Sequence, residues 1–525
     1  MSEHPVLIGG KWRPAKASKT FQATNPATGE RLPDSYPFSG WEDCDAALSA
    51  AADAAIELRR ASPQSIGAFL TRFAERIEAN KTALVEAAHL ETALPMSPRL
   101  GDVELPRTTT QLRQAADAAI EGSWALPTID TKNQIRSVHE PIGPVVVFGP
   151  NNFPYAFSGV SGGDFAAAIA AGNPVIAKAH PLHPGTGRLL AEAAVAALNG
   201  TGLPAATVQL IYKIDHQSGQ RLVSDTRVGA SAFTGSRAAG MALKSAADAA
   251  GKPIYLEMSS INPVIVLPGT LAERGGKVAA DFAASCLMGG GQFCTNAGFV
   301  LLFADAQSEE FMDTVKSAFD SAQPPALLSE GVAKGLAESV KTLRSAGADL
   351  LTSPGAEVKG ARHPNSLLRV TGKQFLAEPA KLQTEAFGSA SLCVVVRDVE
   401  EAEAVLAHLE GNLTGCIYSD TQGSDDALYT RLSPLLRRRV GRLLNDKMPT
   451  GVAVSPAMNH GGPFPATGHP GFTAVGIPAS LRRFAMLSCY DNVREHRLPP
   501  SLRDQNPNGR MWRLIDGTMT QGPVS

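Results

Sequence analysis

Cys294, in the segment GGGQFCTN, is the residue of this chain whose surroundings best suit nucleophilic chemistry. A reactive thiol needs an approachable position and a setting that favours the thiolate. The glycines at 289–291 leave the sulfur open and let backbone N–H groups point at a reacting oxygen. An isolated thiol beside a glycine turn is more often a small buried hydrophobe. We interpret the cysteines in apolar segments in that way: Cys286, Cys393, Cys416 and Cys489.

Glu257 is a candidate general base, because it ends the short apolar segment YLEM upstream of Cys294. A carboxylate among apolar neighbours is either turned out to solvent or held in a site. At the end of a strand that faces a crevice, it could act as a base with a raised pKa. The segment alone leaves both alternatives open.

Two loops carry further polar groups. Asn151 and Asn152 follow a predicted strand in FGPNNFP; such residues usually form turns, but an amide beside a thiol can also hold an oxyanion. The turn FTGSRAAG places Gly235 and Gly240 between a strand and a helix, a geometry that aims helix N–H groups at phosphate. It lacks the three-glycine dinucleotide fingerprint, so by itself it is weak support.

The elements that must position these residues follow an α/β rhythm from residue 142 onward. Apolar strands such as GPVVVF and NPVIAKA alternate with helices such as GTGRLLAEAAVAAL, which indicates a parallel sheet covered on both faces. The first ~125 residues are predicted to be mainly helical after a strand-like beginning. A second α/β unit starts near residue 257, and a chain of 525 residues suits two or three domains.

Composition narrows the class of protein. A net charge of -2 gives no reason to expect nucleic acid or an anionic membrane as partner. The one basic cluster, Arg437 to Arg439 with Arg442, is interpreted as a solvated helix end rather than a binding patch. No signal peptide and no membrane-spanning run is visible. The six cysteines show no metal-like spacing, so we expect a cytoplasmic protein with reduced thiols and no metal.

Taken together, the motifs resemble the aldehyde dehydrogenase superfamily. The resemblance runs from IGGKW and NPATGE near the start to NHGGPFPATG near residue 460. Between them, separated motifs agree with the family in order: PNNFP, VIAKAHP, FTGS, LEMSSINP, GQFC and TEAFGS. The resemblance implies Cys294 as the nucleophile, Glu257 as the base and Asn152 as the oxyanion donor. It implies cofactor roles for the remaining motif residues: Lys178, Gly235, Ser236, Glu385 and Phe387.

Within that cofactor set, the resemblance puts Lys178 at the adenosine ribose and Gly235 with Ser236 near the pyrophosphate. The chain departs from the family in two motifs. Serines at 259–260 stand where two glycines usually follow the glutamate motif, and Ser389 replaces the usual proline after Phe-Gly.

A third departure concerns the cofactor. Many NAD-preferring relatives carry an acidic residue three positions after the ribose lysine, where this chain has Pro181. A carboxylate there would repel a 2′-phosphate, so its absence admits NADP. We therefore expect NADP, with NAD possible, and positive charge from Lys178, aided by Arg237 or a nearby histidine.

A narrower resemblance concerns the substrate. KAHPLHPGTG, RTTTQLR, NHGGPFPAT and the tail DQNPNGRMWRLIDG are similar to 2-oxoglutarate semialdehyde (2,5-dioxopentanoate) dehydrogenases and NADP-linked fatty-aldehyde relatives. Arg107 is the candidate anchor for a substrate carboxylate, with a structural ion pair as its alternative. The rival functions are a medium- or long-chain aldehyde dehydrogenase, a cofactor-independent cysteine hydrolase and a non-catalytic homologue.

The resemblance also implies a domain plan: two Rossmann-like parallel-sheet domains and a small β-flap for oligomerisation. Residues 1–127 and 143–256 would form the cofactor-binding domain and residues 257–477 the catalytic domain. The flap would comprise 128–142 and 478–493, and 494–525 would lie as a tail over the surface. The family implies a homodimer or homotetramer acting on a small-molecule aldehyde.

Overall fold

The structure, a computed structural model, describes residues 3–16, 19–353 and 360–524. The strands are, in chain order, β1 (Val6–Ile8), β2 (Lys11–Arg13), β3 (Thr20–Phe21), β4 (Tyr36–Pro37), β5 (Thr128–Asp130), β6 (Ile135–Pro141), β7 (Val145–Phe148), β8 (Val175–Lys178), β9 (Val208–Ile211), β10 (Ala230–Thr234), β11 (Ile254–Glu257), β12 (Val264–Val266), β13 (Phe299–Phe303), β14 (Asp349–Leu350), β15 (Ser366–Thr371), β16 (Ala390–Val396), β17 (Asn412–Tyr418), β18 (Val440–Asn445), β19 (Ala485–Asp491), β20 (Arg513–Ile515) and β21 (Thr518–Thr520).

The α-helices are α1 (Trp41–Leu58), α2 (Pro63–Ala79), α3 (Lys81–Thr92), α4 (Leu105–Glu121), α5 (Gly163–Ala170), α6 (Pro184–Leu198), α7 (His216–Ser224), α8 (Arg237–Ala249), α9 (Pro268–Leu287), α10 (Ala306–Ser321), α11 (Glu330–Ser345), α12 (Gly372–Ala377), α13 (Pro379–Leu382), α14 (Val399–His408) and α15 (Asp426–Arg437). A π-helical segment, Met96–Glu104, leads into α4. Within the described residues, no helix combines the length and apolarity needed to cross a membrane.

The first sheet has the strand order β11-β10-β7-β8-β9-β1-β2. From β11 to β9 the strands are parallel, and the short hairpin β1–β2 joins β9 antiparallel at the edge. Every residue of VVVF in β7 is buried, as a strand covered by helices on both faces requires. The predicted α/β class with a parallel sheet is confirmed.

The second sheet has the order β14-β15-β16-β13-β12-β17-β18, parallel except for β14. Its two faces bury separate apolar clusters, one around Leu301 and Leu392 and the other around Val300 and Cys393, as alternation along the strands dictates. β11 belongs to the first sheet and β12 to the second, so the chain passes between them after Glu257.

A third sheet, β19-β6-β5-β20-β21, contains strands from both predicted flap segments and also from the C-terminal tail. The tail therefore does more than cover the surface: β20 and β21 form a hairpin whose turn has Asp516 and Gly517 at positive φ. Arg513 is fully buried and donates to the carbonyl oxygens of Arg503, Asp504 and Gly522. A polar, proline-punctuated sequence hid these short strands, because backbone carbonyls rather than apolar partners satisfy the buried arginine.

Candidate active site

Four of the predicted site residues meet at one edge of the first sheet. Glu257 ends β11, Gly235 follows β10, Asn152 follows β7 and Lys178 ends β8. The register pairs Thr234 with Glu257 and Phe148 with Lys178, and parallel strands bring their carboxyl ends to the same edge. Such an edge is where open α/β sheets bind ligands. The backbone N–H of Gly235 donates to the carbonyl of Glu257 at 3.1 Å.

Cys294 reaches the same edge from the second α/β unit. Helix α9 ends at Leu287, and the glycine turn that follows has positive φ at Gly289, Gly290 and Gly291. A Cβ on Gly291 would lie 2.0 Å from the carbonyl oxygen of Gly388, so only glycine fits there. The side-chain amide of Asn262 donates to the carbonyl of Cys294 at 2.8 Å and fixes the segment.

The Cys294 thiol and the Glu257 carboxylate share a third group, the imidazole of His460. His460 Nε2 lies 3.4 Å from Cys294 Sγ and 3.0 Å from Glu257 Oε1. His460 and Glu257 are buried, with side chains 1% and 2% exposed. The pKa of the Cys294 thiol is raised well above its usual range, first by burial and then by the Glu257 charge. Forming the thiolate therefore requires a base nearby.

Asn152 lies beside the segment that carries the thiol. Its Nδ2 donates to the carbonyl of Gln292 at 3.0 Å, which leaves the second amide hydrogen for another acceptor. Arg99 Nη2 donates to the Asn152 carbonyl at 2.8 Å, and the same guanidinium pairs with buried Glu104. The structure thus brings together the predicted residues Cys294, Glu257 and Asn152.

Arg107 extends toward the same place from α4. Its Nη1 donates to the Val452 carbonyl at 2.7 Å and its Nε to Gln111 at 3.3 Å, while Nη2 is buried without a partner in the described part of the chain. Burial lowers the pKa of the guanidinium, and the charge of Cys294 opposes that shift. The expected alternative, a structural ion pair, is not what the described residues show: the side chain's hydrogen bonds go to neutral groups.

Arg442 departs from the prediction for the basic cluster. Arg437 and Arg438 are exposed at the end of α15, as expected. Arg442 instead lies on β18 and is partly buried, with Nη2 donating to the Pro449 carbonyl at 2.9 Å. Its pKa is lowered by burial, and the charge of Cys294 opposes the shift. Because a strand rather than a helix end carries it, Arg442 adds positive potential near Cys294.

The predicted cofactor residues divide between two places. A cavity of about 240 Å³ is lined by Arg237, Ser259, Ser260 and Glu385, among others. Burial raises the pKa of Glu385 to about 7, against hydrogen bonds from the two serines that lower it. Arg237 pairs across this cavity with Glu410 at 2.9 Å.

Two more of the predicted cofactor residues adjoin that cavity. A neighbouring cleft contains Glu385 together with Phe387 and Phe293, the residue before Cys294. Ser236 caps α8, its side chain accepting from the N–H of Ala239 at 3.4 Å. The first turn of α8 therefore begins beside the cavity that Arg237 lines.

Lys178 lies apart from that cavity, at the end of β8. Burial lowers its pKa to about 8, and Lys213 adds to the shift. His180 and His183 stack on each other with ring centroids 5.2 Å apart. Burial lowers the pKa of His183 to about 4 and that of His180 well below its usual range, so both are neutral near pH 7. The nearby histidines therefore do not supply the positive charge expected of them.

Sequence reasoning missed His460 and misjudged Arg442. His460 stands in NHGGPFP, far along the chain from Cys294 and Glu257, and only the folding of residues 451–478 back over β11 brings it to them. Its N–H donates to Thr473 Oγ1 at 3.0 Å. A histidine within a glycine- and proline-rich segment was the available signal.

Comparison with known proteins gives one consistent result. The profile described as "Aldehyde dehydrogenase family" matches residues 12–433. "Alpha-ketoglutaric semialdehyde dehydrogenase 2" of Azospirillum brasilense is 40% identical over 98% of both chains. "Alpha-ketoglutaric semialdehyde dehydrogenase" of Acinetobacter baylyi is 36% identical, again over 98% of both.

Solved structures show the same fold. A putative aldehyde dehydrogenase from Burkholderia cenocepacia aligns with a TM-score of 0.80 at 22% identity, covering 95% of this chain and 99% of that one. A 3,6-anhydro-L-galactose dehydrogenase in complex with NAP aligns with a TM-score of 0.79 at 20% identity, over 93% and 99%. At these identities the likeness extends to the fold.

Proposed function

The chain belongs to the aldehyde dehydrogenase family and is an oxidoreductase, and from that premise we propose that it oxidises an aldehyde to a carboxylic acid with NAD(P) through a thioester on Cys294. The observation that carries the proposal is the convergence of Cys294, Glu257 and Asn152 at the carboxyl edge of the first sheet. Family membership displaces the cofactor-independent hydrolase and the non-catalytic homologue.

The proposed course assigns one step to each side chain. The Cys294 thiolate attacks the aldehyde carbon, and the oxyanion is held by Asn152 Nδ2 and the Cys294 N–H. A bound nicotinamide cofactor supplies the hydride acceptor, so that a thioester remains on Cys294. Glu257 then takes a proton from water, the water oxygen attacks the thioester carbon, and the acid leaves as the thiolate is regenerated.

The chain's donor set fits a 2′-phosphorylated cofactor. Lys178 is a buried cation at the end of β8 with no carboxylate at Pro181. Gly235 and Ser236 begin α8, whose N–H groups suit phosphate. Glu385 and its neighbouring cavity suit a ribose hydroxyl pair. Arg237 would have to exchange Glu410 for phosphate to take the part expected of it.

We propose 2-oxoglutarate semialdehyde as the substrate and 2-oxoglutarate as the product. Two relatives named for that substrate match nearly the whole chain. Arg107 supports the choice, because its Nη2 is buried without a partner in the described residues and a carboxylate would satisfy it. Arg442 adds a second guanidinium near Cys294. A site for purely apolar aldehydes gains nothing from two desolvated cations.

Initial rates test this assignment, with 2-oxoglutarate semialdehyde and hexanal each run with NAD and with NADP. One charge-assisted hydrogen bond predicts that kcat/KM for the oxo acid exceeds that for hexanal roughly tenfold or more. The preference should collapse in Arg107→Met, through KM for the oxo acid. Arg113→Met is the matched control, since Arg113 lies on the same helix but pairs with Glu78 at the surface. Hexanal oxidation as fast as that of the oxo acid would instead support the medium- or long-chain alternative.

A further inference from the structure

His460 Nε2 occupies the space between the thiol and the carboxylate of the proposed site. It lies 3.4 Å from Cys294 Sγ and 3.0 Å from Glu257 Oε1, and the three atoms all fall within 4.8 Å of one another. The imidazole is held in place by the bond from its own N–H to Thr473 Oγ1 and by contact with the Phe157 ring, 5.6 Å between centroids. A single ring nitrogen therefore faces both reacting groups.

We infer that His460 is a catalytic residue that removes the Cys294 proton before attack on the aldehyde, with Glu257 pairing the imidazolium that results. The inference rests on the proposed function, since it concerns the same thiol. The S–H bond of Cys294 breaks, and its proton forms an N–H bond at Nε2 of neutral His460, whose own proton is then on Nδ1. The products are a thiolate and an imidazolium, and no other reactant is consumed. The same N–H can return the proton to sulfur when the acid leaves.

The surroundings of Cys294 make such an acceptor necessary. Burial, followed by the Glu257 charge, holds the thiol's pKa well above its usual range, so little thiolate would form near neutral pH without a base. The imidazolium would be stabilised by the carboxylate 3.0 Å away.

Charged groups from several elements bear on this proton transfer. The cations Arg107 and Arg442 favour the thiolate, and Glu257 and Glu385 oppose it. Asp164 also interacts with His460, but it is itself paired with Arg483. The described titratable or charged neighbours of the Cys294–His460 pair are Glu257, Glu385, Asp164, Arg483, Arg107 and Arg442.

Alkylation of Cys294 by iodoacetamide, followed by peptide mass spectrometry from about pH 6 to pH 10, tests the inference without aldehyde or cofactor. Loss of a general base predicts that His460→Gln slows Cys294 alkylation about 100-fold near pH 7. The difference should shrink as pH rises, because hydroxide then deprotonates the thiol directly. Exposed Cys489 is an internal control whose rate should not change. His469→Gln, in the same loop but packed on Tyr255, is the matched variant.

A comparison with Glu257→Gln separates the two possible proton acceptors. If His460→Gln matches wild type across the pH range and Glu257→Gln shows the loss, Glu257 takes the proton directly and the inference is wrong. His460→Asn provides a second variant if glutamine disturbs folding, and the same slow, pH-rescued alkylation is expected. A chain that fails to oxidise any aldehyde but keeps His460-dependent alkylation would contradict the proposed function alone.

Discussion

Burial acts in opposite directions on Lys178 and Cys294. It lowers the pKa of the lysine to about 8 and raises that of the thiol well above its usual range. In both cases it disfavours the charged form, because the interior solvates charge poorly. The consequence differs: Lys178 is held near its titration point, whereas Cys294 depends on neighbouring groups to ionise.

Lys178 predicts how cofactor affinity depends on pH. Its charge is present below about pH 8 and lost above it, so NADP should bind more weakly as pH rises from about 7 to 9.5. Loss of one charge-assisted contact to the 2′-phosphate predicts a Kd about tenfold higher. NAD, which lacks that phosphate, should show a flatter profile.

Equilibrium binding followed by protein fluorescence measures this, with Lys178→Met expected to be weak and pH-independent. Lys244→Met is the control, since Lys244 pairs with Asp248 on the exposed face of α8. Equal pH dependence for NAD and NADP would remove Lys178 from the 2′-phosphate.

At the residue scale, motif order predicted Cys294, Glu257 and Asn152, and the structure places them together. It could not supply His460 or the inward position of Arg442. Both depend on how residues after β18 fold back over the first sheet, and neither has a local spacing that marks it. Their roles, like those of the motif residues, stay predictions.

The start of α4 organises the loop that carries Asn152. Glu104 is fully buried, pairs with Arg99 and accepts from the N–H groups of Tyr155 and Ala156 at 2.8 and 3.0 Å. Arg99 in turn donates to the Asn152 carbonyl. The ion pair therefore fixes both sides of the Asn152 turn, a role that the sequence of the π-helical segment did not predict.

Glu104→Gln should destabilise the protein and slow its chemistry together. An amide cannot pair with Arg99, and removing one partner of a buried ion pair costs about 3 kcal/mol. We expect a lower urea midpoint and a reduced kcat with little change in KM, because the oxyanion donor shifts. Glu78→Gln is the control, since its bridge to Arg113 is surface-exposed and worth under about 1 kcal/mol. A wild-type midpoint in Glu104→Gln would contradict this account of the loop.

Elements with strong local signals were predictable and the rest were not. The wholly buried runs in β7, β13 and β16 have no other comfortable conformation, so their strands could be predicted from composition alone. Strands of three residues, such as β20 and β21, have no such signal. They form because the tail finds β5 as a partner.

At the scale of the whole molecule, the site exists only because two sheets meet. The first sheet supplies Glu257 and Asn152 from its strand ends, and the second unit supplies Cys294 after α9. Neither unit holds a complete set, which is why the boundary predicted near residue 257 falls at the chemistry.

The third sheet leaves β19 as an unpaired edge. That strand exposes Met486 and Leu487, 53% and 60% accessible. An exposed apolar edge strand suits pairing with a second copy. A homodimer or homotetramer formed there stays a prediction.

The central claim is that Cys294 carries the covalent step, and NADP-dependent aldehyde oxidation by Cys294→Ala tests it most directly. Removing the nucleophile predicts a loss of NADPH formation of about 10⁴-fold or more, with NADP affinity unchanged. Cys489→Ala, at the exposed β19, should retain wild-type rates. Aldehyde oxidation that persists in Cys294→Ala would contradict the account.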